Sequence, residues 1–237
     1  MIAIIGGSGL THLPELNITH RQIVRTPYGL PSSPVISGKL GNQFIVFLAR
    51  HGLNHAMAPH EINYRANIWA LHSLGVKEVI AISAVSAISP DIELGALVLP
   101  DDLIDYTYGR DSTFFEGQDK EVVYTEFDPP YSITLRQALL NHAASRNTPI
   151  LAHSVYGCLQ GPRLPTRAEL HRYRNDGVDI IGMTGMPEAI LAKELGMNFA
   201  HLCGVIGQND GHQHSPDFRS RHTHSAIQKI QQLLVDM

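Results

Sequence analysis

The first segment able to do chemistry is the glycine-rich run GGSG at residues 6–9, which follows an apolar stretch at residues 2–5. Glycines let a backbone turn its N–H groups toward an anion, and Ser8 adds a hydroxyl donor. An ordinary tight turn is the alternative for this run. Three familiar motifs are incomplete, because the run does not complete the glycine spacing of a dinucleotide-binding loop, Leu10 stands where a nucleophile elbow needs glycine, and no P-loop lysine follows.

The second segment is Arg50-His51-Gly52, directly after an apolar run at residues 44–48 that predicts a strand. An arginine at the end of a strand is placed to fork onto a phosphate, and the adjacent His51 can donate a further hydrogen bond. A surface arginine beside a turn glycine is the simpler alternative.

Two further strand ends carry small hydroxylic residues. Ser83-Ala84 follows the apolar run at residues 79–82, and small polar residues at the carboxyl edge of a sheet suit a ligand crevice. Thr184 follows a short predicted strand at residues 179–182, and Pro187 is expected to open the next helix. Thr184 is expected to cap that helix, whose free N–H groups would then face an oxyanion.

Taken together, these four strand ends could surround one tetrahedral oxyanion with neutral donors and a single arginine. Each segment alone is weak, since turns, caps and small packing residues have the same composition. The combination favours an inorganic phosphate that acts as a nucleophile.

Histidine is abundant, with 14 among 237 residues, so metal binding has to be weighed. His51, His55 and His60 lie close together, but a glycine and a proline between them interrupt the helical spacing, and no metal is predicted there. The stretch GHQHSPDFRSRHTH at residues 211–224 holds two His-x-His pairs that could bind zinc or nickel or form a pH-sensitive lid. A solvated loop entering a helix is the preferred interpretation of His212, His214, His222 and His224.

Short apolar runs alternate with longer helical patterns and would position these segments. The expected strands are residues 2–5, 35–40, 44–48, 78–83, 96–99, 150–156, 179–182 and 199–206, and the expected helices are residues 62–74, 131–146, 167–176, 187–195 and 220–235. This alternation predicts one α/β domain over residues 1–237, with a mixed, mostly parallel central sheet flanked by helices. The polar stretches at residues 106–120 and 207–219 are expected to be lid-like loops.

The composition restricts the class of protein and its partners. Hydrophobic residues make up 43% and charged residues 17%, which suits a compact core, and the net charge of -4 gives no basic surface for nucleic acid or an anionic membrane. Cys158 and Cys203 lie in apolar runs without ligand-like spacing, so both are expected to be buried. With no signal peptide and no spanning segment apparent, a cytoplasmic location is expected.

Four runs of the chain resemble the trimeric purine nucleoside phosphorylase and methylthioadenosine phosphorylase family. They are IIGGSGL, RHGLNHAMAPHEINYRANIWAL, QGPRLPTRAEL and GMTGMPEAILAKELG, and they spread from residue 4 to residue 196. The last run, together with NYRANIWAL, looks most like the bacterial S-methyl-5'-thioinosine phosphorylase branch. The resemblance implies a phosphorylase/nucleosidase fold, a homotrimer, purine nucleoside and phosphate as substrates, and no cofactor.

The resemblance also assigns roles around the phosphate. It implies that the phosphate-binding residues are Ser8, Arg50, His51, Ser83, Ala84 and Thr184. Arg50, His51 and Asn209 would be the catalytic residues, and Met183 would pack under the ribose. Phosphate would sit below C1', and the base would leave through an oxocarbenium-like state that positioning and electrostatics stabilise.

At the base, the implied pocket includes the segment at residues 161–163, with Leu164 and Pro165 as specificity residues beside the purine. Gly207, Gln208 and Asn209 would meet the purine edge. Adenine-preferring relatives carry an Asp pair at this last place, where this chain has glycine and asparagine. An amide can donate to a 6-oxo group, whereas an aspartate accepts from a 6-amino group.

The resulting expectation is phosphorolysis of S-methyl-5'-thioinosine to hypoxanthine and 5-methylthioribose-1-phosphate. Methylthioadenosine or an ordinary 6-oxopurine nucleoside is the alternative substrate, and a shift of register that brings Asp210 into the pocket would favour adenine. A relative that binds nucleoside or phosphate without turnover stays open because of the altered run at residues 207–210. An NAD-type dehydrogenase is disfavoured by the incomplete glycine motif.

Overall fold

The computed structural model describes residues 1–117, 121–208, 216–235 and 237, with only the backbone for residues 216–223. Within these residues the strands are β1 Ile2–Gly6, β2 Leu16–Gln22, β3 Val35–Leu40, β4 Gln43–Ala49, β5 Glu78–Ala87, β6 Leu97–Val98, β7 Asp102–Asp105, β8 Ile150–Leu151, β9 Val155–Cys158, β10 Ile180–Gly182 and β11 Asn198–Gln208. The helices there are α1 Tyr64–Ser73, α2 Ile133–Ser145, α3 Arg167–Asn175, α4 Glu188–Glu194 and α5 Pro216–Leu234.

The centre of the sheet is parallel, and its outer strands make it mixed. Strand β1 lies between β4 and β5 and is parallel to both, and β11 runs parallel to β5 on its other side. Strand β10 pairs antiparallel with the end of β5, and β2, β3 and β4 form an antiparallel meander at one side. The predicted α/β class with a mixed, mostly parallel sheet is therefore confirmed.

A gap on one side of β5 determines where a ligand can enter. Strand β1 pairs with residues 78–81 of β5, and β10 pairs with Ser86 and Ala87. Among the described strands, residues 82–85 therefore have a partner on the β11 side only. Because β1, β4 and β11 all run toward this level of the sheet, the segments that follow them converge on the gap.

Local sequence explains the helix ends. Asn63 caps α1 by accepting a hydrogen bond from the Ala66 N–H, and Gly75, with φ of 79°, follows its last turn as predicted. Thr166 and Glu169 form a reciprocal capping box at the start of α3. Helix α3 thereby begins directly after the segment that borders the predicted base pocket.

Several predicted elements differ from the structure in their extent. The predicted hairpin of β3 and β4 is confirmed, with Leu40 paired to Gln43 across the turn. Strands β2 and β7 were not expected, because the side chains of each alternate poorly between buried and exposed. The strand expected at residues 150–156 is two strands, since β8 pairs with β6 whereas β9 pairs with β7 and β10.

None of the helices in the described residues combines the length and the hydropathy needed to cross a bilayer.

Helix α2 provides a matched test of the packing. Leu139 is 1% exposed and belongs to the core between the sheet and α5, whereas Ile133 in the same helix is 66% exposed. Leu139→Ala should lower the free energy of unfolding by about 2–5 kcal/mol, because it leaves a cavity. Ile133→Ala should change it by less than about 0.5 kcal/mol. Urea denaturation of both variants checks this, and equal losses would contradict the described orientation of α2.

Candidate active site

A cavity of about 270 Å³ opens beside the gap in the sheet. Six chain segments contribute to it, and each lies in or follows one of the strands β1, β4, β5, β9, β10 and β11. The lining residues are Ser8, Arg50, His51, Pro59, Ser83, Ala84, Val85, Ser86, Leu159, Leu164, Pro165, Ile181, Gly182, Met183, Thr184, Ile206, Gly207 and Gln208.

The structure brings most of the predicted site residues to this one cavity. All six predicted phosphate-binding residues line it, together with Met183, Leu164, Pro165, Gly207 and Gln208. Their roles in binding stay predictions. Asn209 and Asp210 lie outside the described residues.

A buried ion pair organises the deep end of the cavity. The Arg50 side chain is fully buried, and its Nε and Nη2 donate to Glu188 Oε1 and Oε2 at 2.6 and 2.8 Å. Its Nη1 donates to the Ile82 carbonyl at 2.8 Å, in the part of β5 that has a neighbouring strand on the β11 side only. Burial by itself lowers the pKa of Arg50, but the Glu188 carboxylate raises it above its ordinary value.

This pairing changes the predicted role of Arg50. We expected the Arg50 guanidinium to bind a phosphate through two parallel hydrogen bonds. However, Glu188 already accepts both hydrogen bonds from the edge formed by Nε and Nη2. The guanidinium can therefore offer an anion only the remaining N–H bonds of Nη1 and Nη2. Glu188, to which no sequence motif pointed, holds the arginine in place and offsets its charge.

Gly7 of the glycine-rich run makes room for this arginine. A Cβ at position 7 would come within 2.4 Å of the Ile82 carbonyl oxygen and 2.7 Å of Arg50 Nη1. Neither a backbone oxygen nor a guanidinium held by a buried carboxylate can move away cheaply. The absence of a side chain is thus needed for packing, in addition to any N–H donation toward an anion.

Thr184 reaches the cavity from a loop. Helix α4 begins at Glu188 after Pro187 and has no side-chain cap, so the prediction that Thr184 caps it is wrong. Gly185, with φ of 99°, turns the chain between Thr184 and the helix. The backbone of Thr184 is held by Tyr156, whose hydroxyl donates to its carbonyl and accepts from its N–H.

The hydroxyls of Ser83 and Thr184 form one connected group. Ser83 Oγ lies 3.0 Å from Thr184 Oγ1 and 3.5 Å from Arg50 Nη1, and both hydroxyl residues are buried. His201 Nε2 lies 2.8 Å from Ser83 Oγ on the side away from the cavity. Sequence reasoning missed His201, although a lone histidine in an apolar strand is itself a signal of a buried polar contact.

His51 lines the cavity as a neutral ring. Its Nδ1 lies 2.9 Å from the Met57 carbonyl oxygen, which can only accept, so Nδ1 carries the proton. Burial, and then the charge of Arg50, lower the pKa of His51 to about 4. We expected His51 to donate to phosphate, but in the neutral ring Nε2 has no hydrogen and can only accept, for example from a protonated phosphate oxygen.

The wall away from Arg50 is mainly apolar. Gln208 donates from Nε2 to the Ile92 carbonyl at 3.1 Å, which uses one of the two hydrogens of its amide nitrogen. Gly207 faces Ser86 in the sheet, and a Cβ there would lie 2.9 Å from Ser86 Oγ. The Ser86 hydroxyl therefore takes part of the space that a side chain at position 207 would fill.

The segment at residues 161–163 lies beside the cavity. Its residues border an adjoining groove, and Arg163 pairs there with Glu169 at 2.6 Å. Of the residues expected at the base, Leu164 and Pro165 line the cavity, whereas residues 161–163 do not.

Arg110 joins the two loops that border the cavity, and sequence reasoning missed this residue as well. Its guanidinium donates to the carbonyls of Gln160, Met183 and Met186 at 2.8, 3.0 and 2.5 Å. It thereby ties the loop after β9 to the loop after β10. Met183 and Thr184 sit on the second of these loops.

In the part of the chain that the structure describes, no group of three or more His, Cys, Asp or Glu residues is arranged to hold a metal ion. His212 and His214 lie outside the described residues, as does the side chain of His222. His224 is exposed on helix α5.

The sequence matches the phosphorylase superfamily over residues 1–237. A protein of Pseudomonas syringae pv. tomato described as a probable S-methyl-5'-thioinosine phosphorylase is 46% identical over 88% of this chain and 85% of its own. A 6-oxopurine nucleoside phosphorylase of Pyrococcus furiosus is 42% identical over 89% of this chain and 80% of its own. The solved structure of methylthioadenosine phosphorylase from Schistosoma mansoni in complex with adenine is 28% identical, with a TM-score of 0.92 over 99% of this chain and 89% of that one.

The buried ion pair between Arg50 and Glu188 predicts that substitutions of the two residues have non-additive effects on stability. Glu188→Leu or Arg50→Met alone should lower the free energy of unfolding by about 3–5 kcal/mol, because each leaves one buried charge unpaired. The double variant should recover most of that loss, since two apolar side chains of similar volume replace the pair. Denaturant unfolding measures all three, and single losses that simply add in the double variant would contradict the pairing.

The two buried histidines predict a pH dependence. Burial lowers the pKa of His51 to about 4 and that of His201 to about 3, against 6.5 for the unfolded chain. As the pH falls below 6.5, these two histidines therefore bind protons in the unfolded chain but not in the folded one, and the free energy of unfolding decreases. Thermal unfolding from pH 6.5 down to about 5, above the usual range of the carboxylates, measures this.

His201→Phe removes one of these two groups and should flatten the pH dependence over that window. His224→Phe, at an exposed position, is the control and should leave it as in the unsubstituted protein. A dependence that is unchanged by His201→Phe would contradict the neutral, buried state of this ring.

Proposed function

The chain belongs to the phosphorylase superfamily, and we propose that it catalyses phosphorolysis of S-methyl-5'-thioinosine, which yields hypoxanthine and 5-methylthioribose-1-phosphate. One observation carries this proposal: residues from six segments of the chain meet in a single cavity whose deep end combines a buried arginine with two buried hydroxyls. That arrangement suits an oxyanion, and the apolar remainder of the cavity suits a nucleoside.

In the proposed reaction, phosphate lies at the deep end, below C1' of the sugar. A phosphate oxygen forms a bond to C1' while the bond from C1' to the purine nitrogen breaks, and the bonding electrons leave with the base. The proton that the phosphate loses on becoming an ester is taken up by the base, by way of solvent, which gives neutral hypoxanthine. Arg50, Ser83 and Thr184 hold the anion, and Ser8 and the backbone at Ala84 add donors. His51 accepts a hydrogen bond from the anion's own hydroxyl, because its neutral ring offers a lone pair.

The charge of the site favours a phosphate that can react. Arg50 is paired with Glu188, so the two buried groups together carry no net charge. Because Glu188 offsets part of the positive charge of Arg50, the arginine can orient the phosphate while the phosphate keeps most of its negative charge. The charge of the phosphate then stabilises the developing oxocarbenium ion. Catalysis in this proposal comes from positioning and electrostatics.

The base side of the proposal rests on Met183 under the ribose and on Leu164 and Pro165 beside the purine. Gly207 provides no carboxylate for a 6-amino group, and the amide of Asn209 would donate to a 6-oxo group and stabilise the leaving base. Methylthioadenosine and 6-oxopurine ribonucleosides are the alternative substrates, and the names of the relatives include both types of activity.

We further propose a homotrimer that needs no cofactor besides the co-substrate phosphate and lies in the cytoplasm as one domain spanning residues 1–237. An exposed apolar run at Val122, Val123 and Tyr124, the last 93% exposed, supports burial against another subunit. Cys158 and Cys203 are both buried and unpaired, which suits a reducing compartment. Light scattering should give three times the chain mass of 26.1 kDa.

The test of function is a phosphate-dependent cleavage assay with methylthioinosine, methylthioadenosine, inosine and adenosine. Methylthioinosine should be cleaved most efficiently, and only when phosphate is present. Arg50→Ala should lower kcat/KM by at least about 100-fold, because it removes the charged donor to the anion. Arg172→Ala, at an exposed side chain on α3, is the matched control and should retain full activity.

Two results would contradict the proposal. Near-normal phosphorolysis by Arg50→Ala would remove the role of Arg50. A protein that binds phosphate but cleaves none of the four nucleosides would instead be the binding-only relative.

A further inference from the structure

His201 is a fully buried polar side chain that the proposed reaction does not use. It lies on β11, opposite Ala81 of β5, and is 0% exposed. Its ring packs edge-on against Tyr156 with centroids 4.6 Å apart, and a Cβ at Gly185 would come within 2.8 Å of its Cε1. The ring is therefore fixed in orientation by its packing, directly behind the hydroxyl wall of the cavity.

The hydrogen-bond partners of His201 assign its proton. Nε2 lies 2.8 Å from Ser83 Oγ, and Nδ1 is buried without a partner among the described residues. If the proton were on Nδ1, a buried N–H donor would have no acceptor. This costs more free energy than leaving the Nδ1 lone pair without a donor. The neutral ring thus carries its hydrogen on Nε2 and donates it to Ser83 Oγ.

This donation restricts what Ser83 can do. A hydroxyl has one hydrogen to give and two lone pairs to receive. His201 Nε2 occupies one lone pair, and Arg50 Nη1 approaches the other at 3.5 Å. The hydrogen of Ser83 has to go to Thr184 Oγ1, 3.0 Å away, or to an anion in the cavity. If it goes to Thr184, the hydrogen of Thr184 is released toward the cavity.

We propose that His201 is a positioning residue that makes the Ser83–Thr184 pair a donor toward an anion in the cavity. The histidine does not line the cavity and does not touch the substrate. It acts through Ser83, by preventing that hydroxyl from turning its lone pairs toward the anion. This inference rests on the proposed phosphate site and names a residue outside that site on which anion affinity depends.

The test measures the dissociation constant of inorganic phosphate by calorimetry, together with the KM values of phosphate and nucleoside. His201→Phe keeps a ring and removes the donor, and it should weaken phosphate binding about tenfold, the loss expected for one hydrogen bond to a charged group. The KM of the nucleoside should stay unchanged. His201→Gln can place an amide N–H near the former Nε2 and should restore most of the affinity.

A double-mutant cycle with Ser83→Ala separates positioning from packing. If His201 acts through Ser83, His201→Phe should weaken phosphate binding no further once Ser83 is alanine. Phe199→Leu, on the same face of β11 and with its ring 6.5 Å from His201, is the control for altered packing and should not change phosphate affinity. Unfolding in urea shows that each variant is folded.

The outcomes distinguish this inference from the proposed function. Unchanged phosphate affinity in His201→Phe, or losses that multiply in the double variant, would overturn the role of His201 even if nucleosides are cleaved. A protein that binds phosphate with this pattern but cleaves no nucleoside would retain the role of His201 and overturn the proposed function. Absence of phosphate binding in the unsubstituted protein would overturn both.

Discussion

The buried ion pair between Arg50 and Glu188 is the interaction on which the rest of the site depends. Both side chains are fully buried, and they join the segment after β4 to the first turn of α4. Such a pair costs desolvation energy that an apolar pair of the same volume avoids, so its contribution to the site is charge and geometry more than added stability. Here the charge serves a cavity in which the guanidinium still has N–H bonds to offer.

The gap beside β5 explains why this charge can be placed there. A continuous sheet would satisfy the Ile82 carbonyl with a neighbouring strand, but the partner strand changes from β1 to β10 at this level. Arg50 donates to that carbonyl instead, and Gly7 keeps the approach free of a side chain. The irregularity in the sheet and the buried arginine therefore form one feature, with the hydroxyls of Ser83 and Thr184 at its rim.

The sequence was sufficient for the α/β class and for bringing Ser8 and Arg50 together, because the carboxyl ends of the parallel strands β1 and β4 meet at one edge of the sheet. Ser83 and Thr184 reach the same cavity for another reason, since Ser83 lies within β5 and Thr184 follows β10, which runs antiparallel to β5. The sequence was insufficient for β2 and β7, whose side chains do not alternate between buried and exposed, and β7 in addition pairs with the distant strand β9. The contacts of Glu188 with Arg50 and of His201 with Ser83 could not be predicted, because only the tertiary fold brings these residues together. The donor role expected for His51 failed for a similar reason, since the Met57 carbonyl that sets its tautomer is known only from the fold.

In the proposed reaction, one inorganic anion binds against Arg50, Ser83 and Thr184. A crystal of the protein soaked in phosphate, and a second crystal soaked in arsenate to mark the site by its stronger scattering, would show where that anion binds. We expect a tetrahedral anion within hydrogen-bond distance of the Arg50 guanidinium and of both hydroxyls. An anion bound elsewhere while this cavity stays empty at saturating phosphate would contradict it.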